Sequence, residues 1–389
     1  MAIKNTLLGG TDWIDGEVLY AADLNDTNDA IIENPLKAIK LNSFAILGNW
    51  KSYSFILPYS ATAWAREDYN TTDAGATATA SNSTEEYGWL CLGDTTKGFS
   101  SNSSGATIRY TTDSGANWTT GTTRPPNSTT ITGGDYSLDG LIYLSGSGGP
   151  CGLWYSTNDG VDFTQVGTPS GNEEFVGVGM HDATHGIAIE AGDGSIWYTT
   201  DGTTWTDSGH DWTIDNGLNR SSIYCYASGA NLTDFKCLIL MRKSDNSDEA
   251  GGIGNVGYYD GTKDVNSAAE IYHAGGACPY GTTTNFCLLD NGALCFVYAS
   301  AQQAASPGNN MSATLVVCSN PTASVITGGN LTTAPTFYQI PLGLVGRTET
   351  YSYNLCLQVS DVMNQYDTNK VLIYLNCRKL FQIDLNGLD

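Results

Sequence analysis

The chain has 389 residues and a formal net charge of −23, with 41% apolar and 11% aromatic residues but only 15% charged ones. A surface this acidic repels phosphate backbones and anionic headgroups, so the expected partners include neither nucleic acid nor a membrane surface. No apolar run approaches the roughly 18 residues of a membrane span. The opening run Met1 to Trp13 lacks the apolar core of a signal peptide, so a protein found outside cells is expected to leave by another route, such as lysis. With 45 glycines, and with Ser, Thr and Asn supplying most of the polar surface, the expectation is an all-β chain of short strands and tight turns.

Residues 1–43 differ in character from the rest of the chain. The run Gly10 to Leu19 reads as a short strand or turn, and Ala21 to Ile32 as a helix with Asp23, Asp26 and Asp29 in its first turns, where the helix dipole favours carboxylates. Pro35 bends or ends it. Leu24, Asn28, Ile31 and Ile39 fall near one stripe, and a helix this short must pack on something to persist. Its own globular part is one candidate, and a second copy or another protein is the other. A polar Asn28 on such a stripe suits a register-fixing residue. The run Asp12-Trp13-Ile14-Asp15-Gly16-Glu17-Val18-Leu19-Tyr20-Ala21-Ala22-Asp23-Leu24-Asn25-Asp26 resembles the N-terminal head of tail fibre and minor structural proteins of tailed phages. That resemblance implies a head joining the virion through Trp13 and the helix stripe, partners among other tail proteins, a homotrimer, and a receptor-facing domain behind it at the virion surface.

Residues 44–389 carry a repeat. Ile108 to Thr119, Leu153 to Thr164 and Ile196 to Thr206 align, with Asp113, Asn158 and Asp201 about 45 and 43 positions apart, a spacing at which four-stranded blades recur. In each unit an apolar strand ends at Thr111, Ser156 or Thr199. Asp113, Asn158 or Asp201 follows and can accept hydrogen bonds from the next amides. Gly115, Gly160 or Gly202 then permits a positive φ. Trp118, Phe163 or Trp205 folds back over the hairpin. The pattern Ser/Thr-x-Asp-x-Gly-x-x-Trp resembles the Asp-box, or BNR repeat, of sialidase-like propellers. The first copy matches fully, the second has Asn158 and Phe163, and the third is one residue shorter. The resemblance implies a β-propeller.

Further along, Val256 to Gly261 reads as a decayed copy, and strand-like runs recur at 222–227, 236–242, 285–298, 313–318, 353–359, 371–375 and 379–385. Strand groups at 86–122, 131–167, 173–209, 221–265, 278–340 and 351–387 predict six blades, with seven as the alternative. The last group is one strand short, and the run near 53–57 is expected to close the ring, which removes exposed sheet edges. Most of the ten cysteines lie in apolar strand-like runs and read as small buried hydrophobes, with pairing left open.

Catalytic patterns are weak. A sialidase clamps a carboxylate with three arginines, and this chain has Arg66, Arg109, Arg124, Arg220, Arg242, Arg347 and Arg378 with no Arg-Ile-Pro signature. Another glycosidase needs two placed carboxylates, and Glu85-Glu86 and Glu173-Glu174 read as solvated. His181 and His185 fall in a predicted hairpin turn rather than on one helical face, and Asp245 to Glu249 reads as a solvated loop. No catalytic residue, metal or cofactor is expected. The expected function is a virion protein displaying a propeller for a host-surface glycan or protein receptor. A glycoside hydrolase or a non-viral lectin-like propeller on the same fold is the alternative.

Overall fold

A computed structural model describes residues 40–46, 57–58, 64–66, 69–71, 79–80, 89–92, 96–101, 108–123, 125, 130–138, 141–147, 152–166, 173–213, 218–243, 256–266, 269–272, 280–283, 286–301, 309–327, 330–348, 362–367, 370–375 and 379–385. The expected helix at 21–32 and the residues Trp13, Leu24, Asn28, Ile31 and Ile39 lie outside them, as does the run 353–359.

Strand β1 (Lys40–Ile46) comes first and is taken up by the last sheet. The first sheet holds β2 (Leu57–Pro58), β3 (Trp64–Arg66), β4 (Tyr69–Thr71) and β5 (Thr79–Ala80). The second holds β6 (Trp89–Leu92), β7 (Gly98–Ser101), β8 (Ile108–Thr111) and β9 (Thr119–Thr120). The third holds β10 (Thr130–Leu138), β11 (Leu141–Ser147), β12 (Gly152–Ser156) and β13 (Thr164–Gln165). The fourth holds β14 (Phe175–Met180), β15 (Gly186–Glu190), β16 (Ser195–Thr199) and β17 (Thr206–Asp211). The fifth holds β18 (Leu218–Ala227), β19 (Lys236–Lys243), β20 (Val256–Tyr259) and β21 (Glu270–Tyr272). The sixth holds β22 (Tyr280–Thr283), β23 (Cys287–Leu288), β24 (Leu294–Ala301) and β25 (Asn309–Cys318). A side hairpin of β26 (Val325–Thr327) and β27 (Asn330–Thr333) comes next, and β28 (Phe337–Thr348) completes the sixth sheet. The seventh holds β29 (Val362–Asp367), β30 (Lys370–Leu375), β31 (Lys379–Asp384) and, outermost, β1.

Each sheet is an antiparallel meander, and each touches the next. Strand β2 lies against β6, β6 against β10, β10 against β14, β14 against β18, β19 against β22, β23 against β29, and β29 against β2. The circuit closes, and the molecule is an all-β propeller of seven sheets among the described residues. The six-sheet count omits the first sheet. Its strands are two or three residues long, too short to show an alternating pattern.

The closing strand also differs from expectation. Leu57, the end of the 53–57 run, pairs with Ala65 inside the first sheet. The strand that completes the last sheet is β1, with Phe44 opposite Phe381 and Lys40 opposite Asp384. A boundary at 43/44 therefore cuts a strand. Among the described residues the 57–80 segment forms a sheet of its own, and the chain before it fills the edge beside β31.

Inner strands such as β11, β15 and β19 are buried on both faces, and their alternate residues enter different cores. Ile142 and Leu144 pack with Ile108, Trp154 and Phe163, whereas Tyr143 packs with Phe175, Trp197 and Trp205. Ile187 and Ile189 meet Ile223, Phe235 and Ile239, and Ala188 faces the other way. Leu238 and Leu240 join a core with Phe296, Val316, Val371 and Ile383, which binds the last three sheets together.

Candidate functional site

The three repeated turns occupy equivalent places, between the third and fourth strands of the second, third and fourth sheets. In the first, Thr111 Oγ1 donates to Asp113 Oδ1 (2.9 Å) and accepts from the Gly115 amide (2.9 Å). In the second, Ser156 Oγ does the same toward Asn158 (2.9 Å) and Gly160 (3.0 Å). In the third the partners of Thr199 are Asp201 (3.3 Å) and Gly202 (2.9 Å). The acceptor oxygen of the Asp or Asn then takes an amide further on: Asn117 (2.9 Å), Asp162 (3.0 Å) and Thr204 (2.6 Å). Gly115, Gly160 and Gly202 have φ of 76°, 85° and 75°. Thr111, Ser156 and Thr199 are buried, so leaving their hydroxyls unpaired would carry a desolvation penalty. Trp118, Phe163 and Trp205 are buried behind the turns.

These bonds set the charge of the turns. Amides of Thr204 and Thr203 hold the Asp201 carboxyl down at about 2. Burial raises that of Asp113, but the Asn117 amide and side chain and the Thr111 hydroxyl outweigh it and leave it lowered. These carboxylates stay charged at neutral pH, and their acceptor capacity is used by their own turns.

Two further turns belong to the series. Asp260 and Gly261, the decayed copy, form a fourth: Gly261 has φ 76°, and Asp260 Oδ1 accepts from the Thr262 amide (3.1 Å). Tyr258 stands where the others have Ser or Thr, and buried Val265 takes the place of the aromatic residue. After β25 the Ala323 amide donates to Asn320 O (3.1 Å), as Ala116 does to Asp113 (3.2 Å) and Val161 to Asn158 (3.3 Å). No glycine or aromatic residue marks this fifth turn in the sequence.

The turns also staple neighbouring sheets. Asp162 Oδ1 accepts from the Thr123 amide (3.1 Å), where the second sheet exits past the third. Asp264 Oδ1 accepts from the Asp211 amide (3.1 Å) in the same way between the fourth and fifth. Lys97 pairs with Asp159 at 3.1 Å. Tyr143 Oη donates toward Ala183 O (3.2 Å) and Gly202 O (3.3 Å), tying the third sheet to two turns of the fourth. Burial, with nearby Tyr155 and the carboxylates of Asp135, Asp182 and Asp201, pushes the Tyr143 phenol up to about 12.

His181 and His185 do sit on a hairpin turn, joined by the His181 amide and His185 carbonyl (2.8 Å). His185 Nδ1 lies 2.9 Å from Asp182 Oδ2, while His181 Nδ1 lies 3.2 Å from Cys225 O. Burial raises the Asp182 carboxyl, but the Thr184 amide and hydroxyl and the His185 contacts bring it to about 2. Among the described residues no group of three or more metal-ligating side chains comes together.

Sequence reading missed an acidic rim on the fourth and fifth sheets. Glu190 Oε2 accepts from Trp197 Nε1 (3.0 Å). Its carboxyl is raised by burial and by Asp193, Glu173 and Asp207. Asp211 is raised by burial and by Asp264 and Asp193. These residues come from separate strands and turns, so no spacing in the chain announces them.

Strand direction gives the ring two unlike ends. One carries the repeated turns, the His181–His185 turn and the side hairpin of β26 and β27. The other carries the links between sheets and the second-to-third-strand connections.

No protein-family model matches the chain, and no curated protein is similar to it in sequence. Solved structures match its fold. Virginiamycin B lyase from Staphylococcus aureus is 10% identical with a TM-score of 0.50, covering 88% of this chain and 98% of that one. YCF48 from Cyanidioschyzon merolae is 12% identical with a TM-score of 0.41, covering 87% and 98%. A xyloglucanase from Xanthomonas campestris is 13% identical with a TM-score of 0.40, covering 85% of this chain and 42% of that one. The likeness concerns the arrangement of sheets.

Proposed function

We propose that this chain is a receptor-binding or fibre protein of a tailed-phage virion, whose propeller presents loops to a host-surface glycan or protein. The observation that carries this reading is the run Trp13 to Asn25, which resembles a phage tail attachment head and precedes β1, the strand that locks the ring. In this reading the repeated turns are Asp-boxes with a structural task. Their polar groups are spent on their own hairpins and on staples between sheets, so the opposite end of the ring is assigned the receptor-binding surface. Modest sites repeated on one trimeric fibre gain avidity.

Antibodies raised against the purified propeller test this. They should decorate the tails of purified particles in electron micrographs and block adsorption to host cells. Particles left undecorated by antibodies that bind the soluble protein would remove the virion reading. Release of sugar from surface polysaccharide by the purified protein, lost in Glu190→Gln, would favour a glycoside hydrolase instead.

A further inference from the structure

Two pairs of buried cysteines stand directly opposite one another on antiparallel neighbours. Cys225 of β18 faces Cys237 of β19, and Cys287 of β23 faces Cys295 of β24. Opposed residues project from the same face of a sheet, with Cα atoms about 4.5 or 5.5 Å apart. A disulfide spans Cα separations of roughly 4.4–6.8 Å, so either kind of opposed site accepts one without a shift of register. All four are free thiols in this structure. The thiol of Cys295 reaches back to the Cys287 carbonyl at 3.5 Å. Burial and the neighbouring Cys225 sulfur push the Cys237 thiol up, and the Cys287 sulfur and burial do the same to Cys295. Cys237 and Cys295 therefore keep their protons at neutral pH. Among the described residues one more buried cysteine, Cys318, lies opposite Leu294, one step along from Cys295 and so on the other face of the sheet.

We propose that Cys225–Cys237 and Cys287–Cys295 are oxidation sites, each closing a cross-strand disulfide when the protein meets a peroxide-class oxidant. The less buried member of each pair, Cys225 at 5% and Cys287 at 8% exposure, reacts first. Its thiol gives up its proton and the sulfur attacks one peroxide oxygen; the O–O bond breaks, the leaving hydroxide takes up that proton as water, and a sulfenic acid forms. The opposed cysteine gives up its proton and attacks that sulfur; the S–S bond forms and the oxygen leaves as water. In sum, two thiols and one peroxide yield one disulfide and two waters. The bonds would pin the first hairpin of the fifth sheet and tie β23, only two residues long, to β24. The inference stands apart from the virion reading and needs no receptor.

The test treats the folded full-length protein with hydrogen peroxide, quenches it, alkylates free thiols in denaturant and maps peptides without reduction. Expected are a Cys225–Cys237 link and a Cys287–Cys295 link, each with the loss of two hydrogens, and an alkylated Cys318. Cys225→Ser should remove the first link and keep the second, and Cys287→Ser the reverse. Should a variant fail to fold, the wild-type map decides alone. The proposal is overturned if all four cysteines are still alkylated, if they stop at separate sulfinic acids, or if either pair links elsewhere, such as Cys225 to Cys318.

Discussion

The buried hydroxyls of Thr111, Ser156 and Thr199 each serve two partners at once, so replacing one leaves a glycine amide and a carboxylate or amide oxygen short of a bond. Ser156→Ala should lower unfolding free energy by about 1–3 kcal/mol in denaturant titration. Trp118→Ala, which empties a buried site, should cost about 3–5 kcal/mol. Gly202→Ala is strained twice: φ is +75°, and an added Cβ would stand 2.5 Å from the Ala183 carbonyl and 2.9 Å from the Tyr143 hydroxyl. It should destabilise more than a Gly→Ala change at Gly186, where the Gly179 carbonyl stands 2.8 Å from an added Cβ beside the Met180 side chain but φ is not in the left-handed region. The carboxyls predict a pH profile with two limbs. Asp201 and Asp182, both held at about 2, stabilise the fold above the ordinary value of 3.8, and that contribution fades as pH falls from there toward 2. Glu190 and Asp211 are raised, so the folded state takes up their protons first and gains stability as pH falls toward 4.5 and 3.8 respectively. The melting temperature should rise modestly from neutral pH to about 5 and drop below about 4. Added salt should flatten the upper limb, because exposed like charges are screened. A profile falling steadily from pH 7 would count against the acidic rim.

At the scale of the element, β1 is the most consequential strand. It alone completes the last sheet, and it comes from the far end of the chain. Removing residues 1–39 should leave the thermal unfolding midpoint of the ring nearly unchanged. Extending the deletion through Ile46 exposes the edge of β31 and should lower the midpoint sharply, with aggregation through the freed edge. Equal midpoints for the two truncations would show that β1 does not hold the ring. The staples between sheets act similarly on a smaller scale. Asp162→Ala removes the acceptor of the Thr123 amide and a partner of Asn158, and should loosen the joint between the second and third sheets by about 1 kcal/mol.

For the whole molecule, the expectation is a trimer held by residues 1–39. Light scattering of the full-length protein and of the chain starting at Lys40 tests it directly: trimer and monomer are expected, and a full-length monomer would reject threefold assembly through the head. The chain starting at Lys40 should still adsorb to host cells, more weakly than the trimer because avidity is lost. Among the described residues adjacent sheets touch all round the circuit, which makes the unfolding of any one sheet costly to its neighbours, so a single cooperative transition is expected in calorimetry.

What could be read from the chain alone was whatever is local. The Asp113, Asn158 and Asp201 turns are self-contained, because their donors and acceptors lie within a few residues, so their pattern survives in the linear sequence, and their spacing marks propeller blades. Asp260 kept enough of the pattern to be noticed, whereas Asn320 shares only the backbone turn and left no signature. Tertiary structure alone decided the rest. Seven sheets replaced six because a sheet of two- and three-residue strands owes its existence to neighbouring sheets rather than to its own periodicity. The closing strand moved from 53–57 to Lys40–Ile46 because an edge is filled by whichever segment remains unpaired, a property of the whole circuit. The acidic rim of Glu190 and Asp211 and the facing cysteines likewise depend on strand register, which brings together residues that no local rule connects.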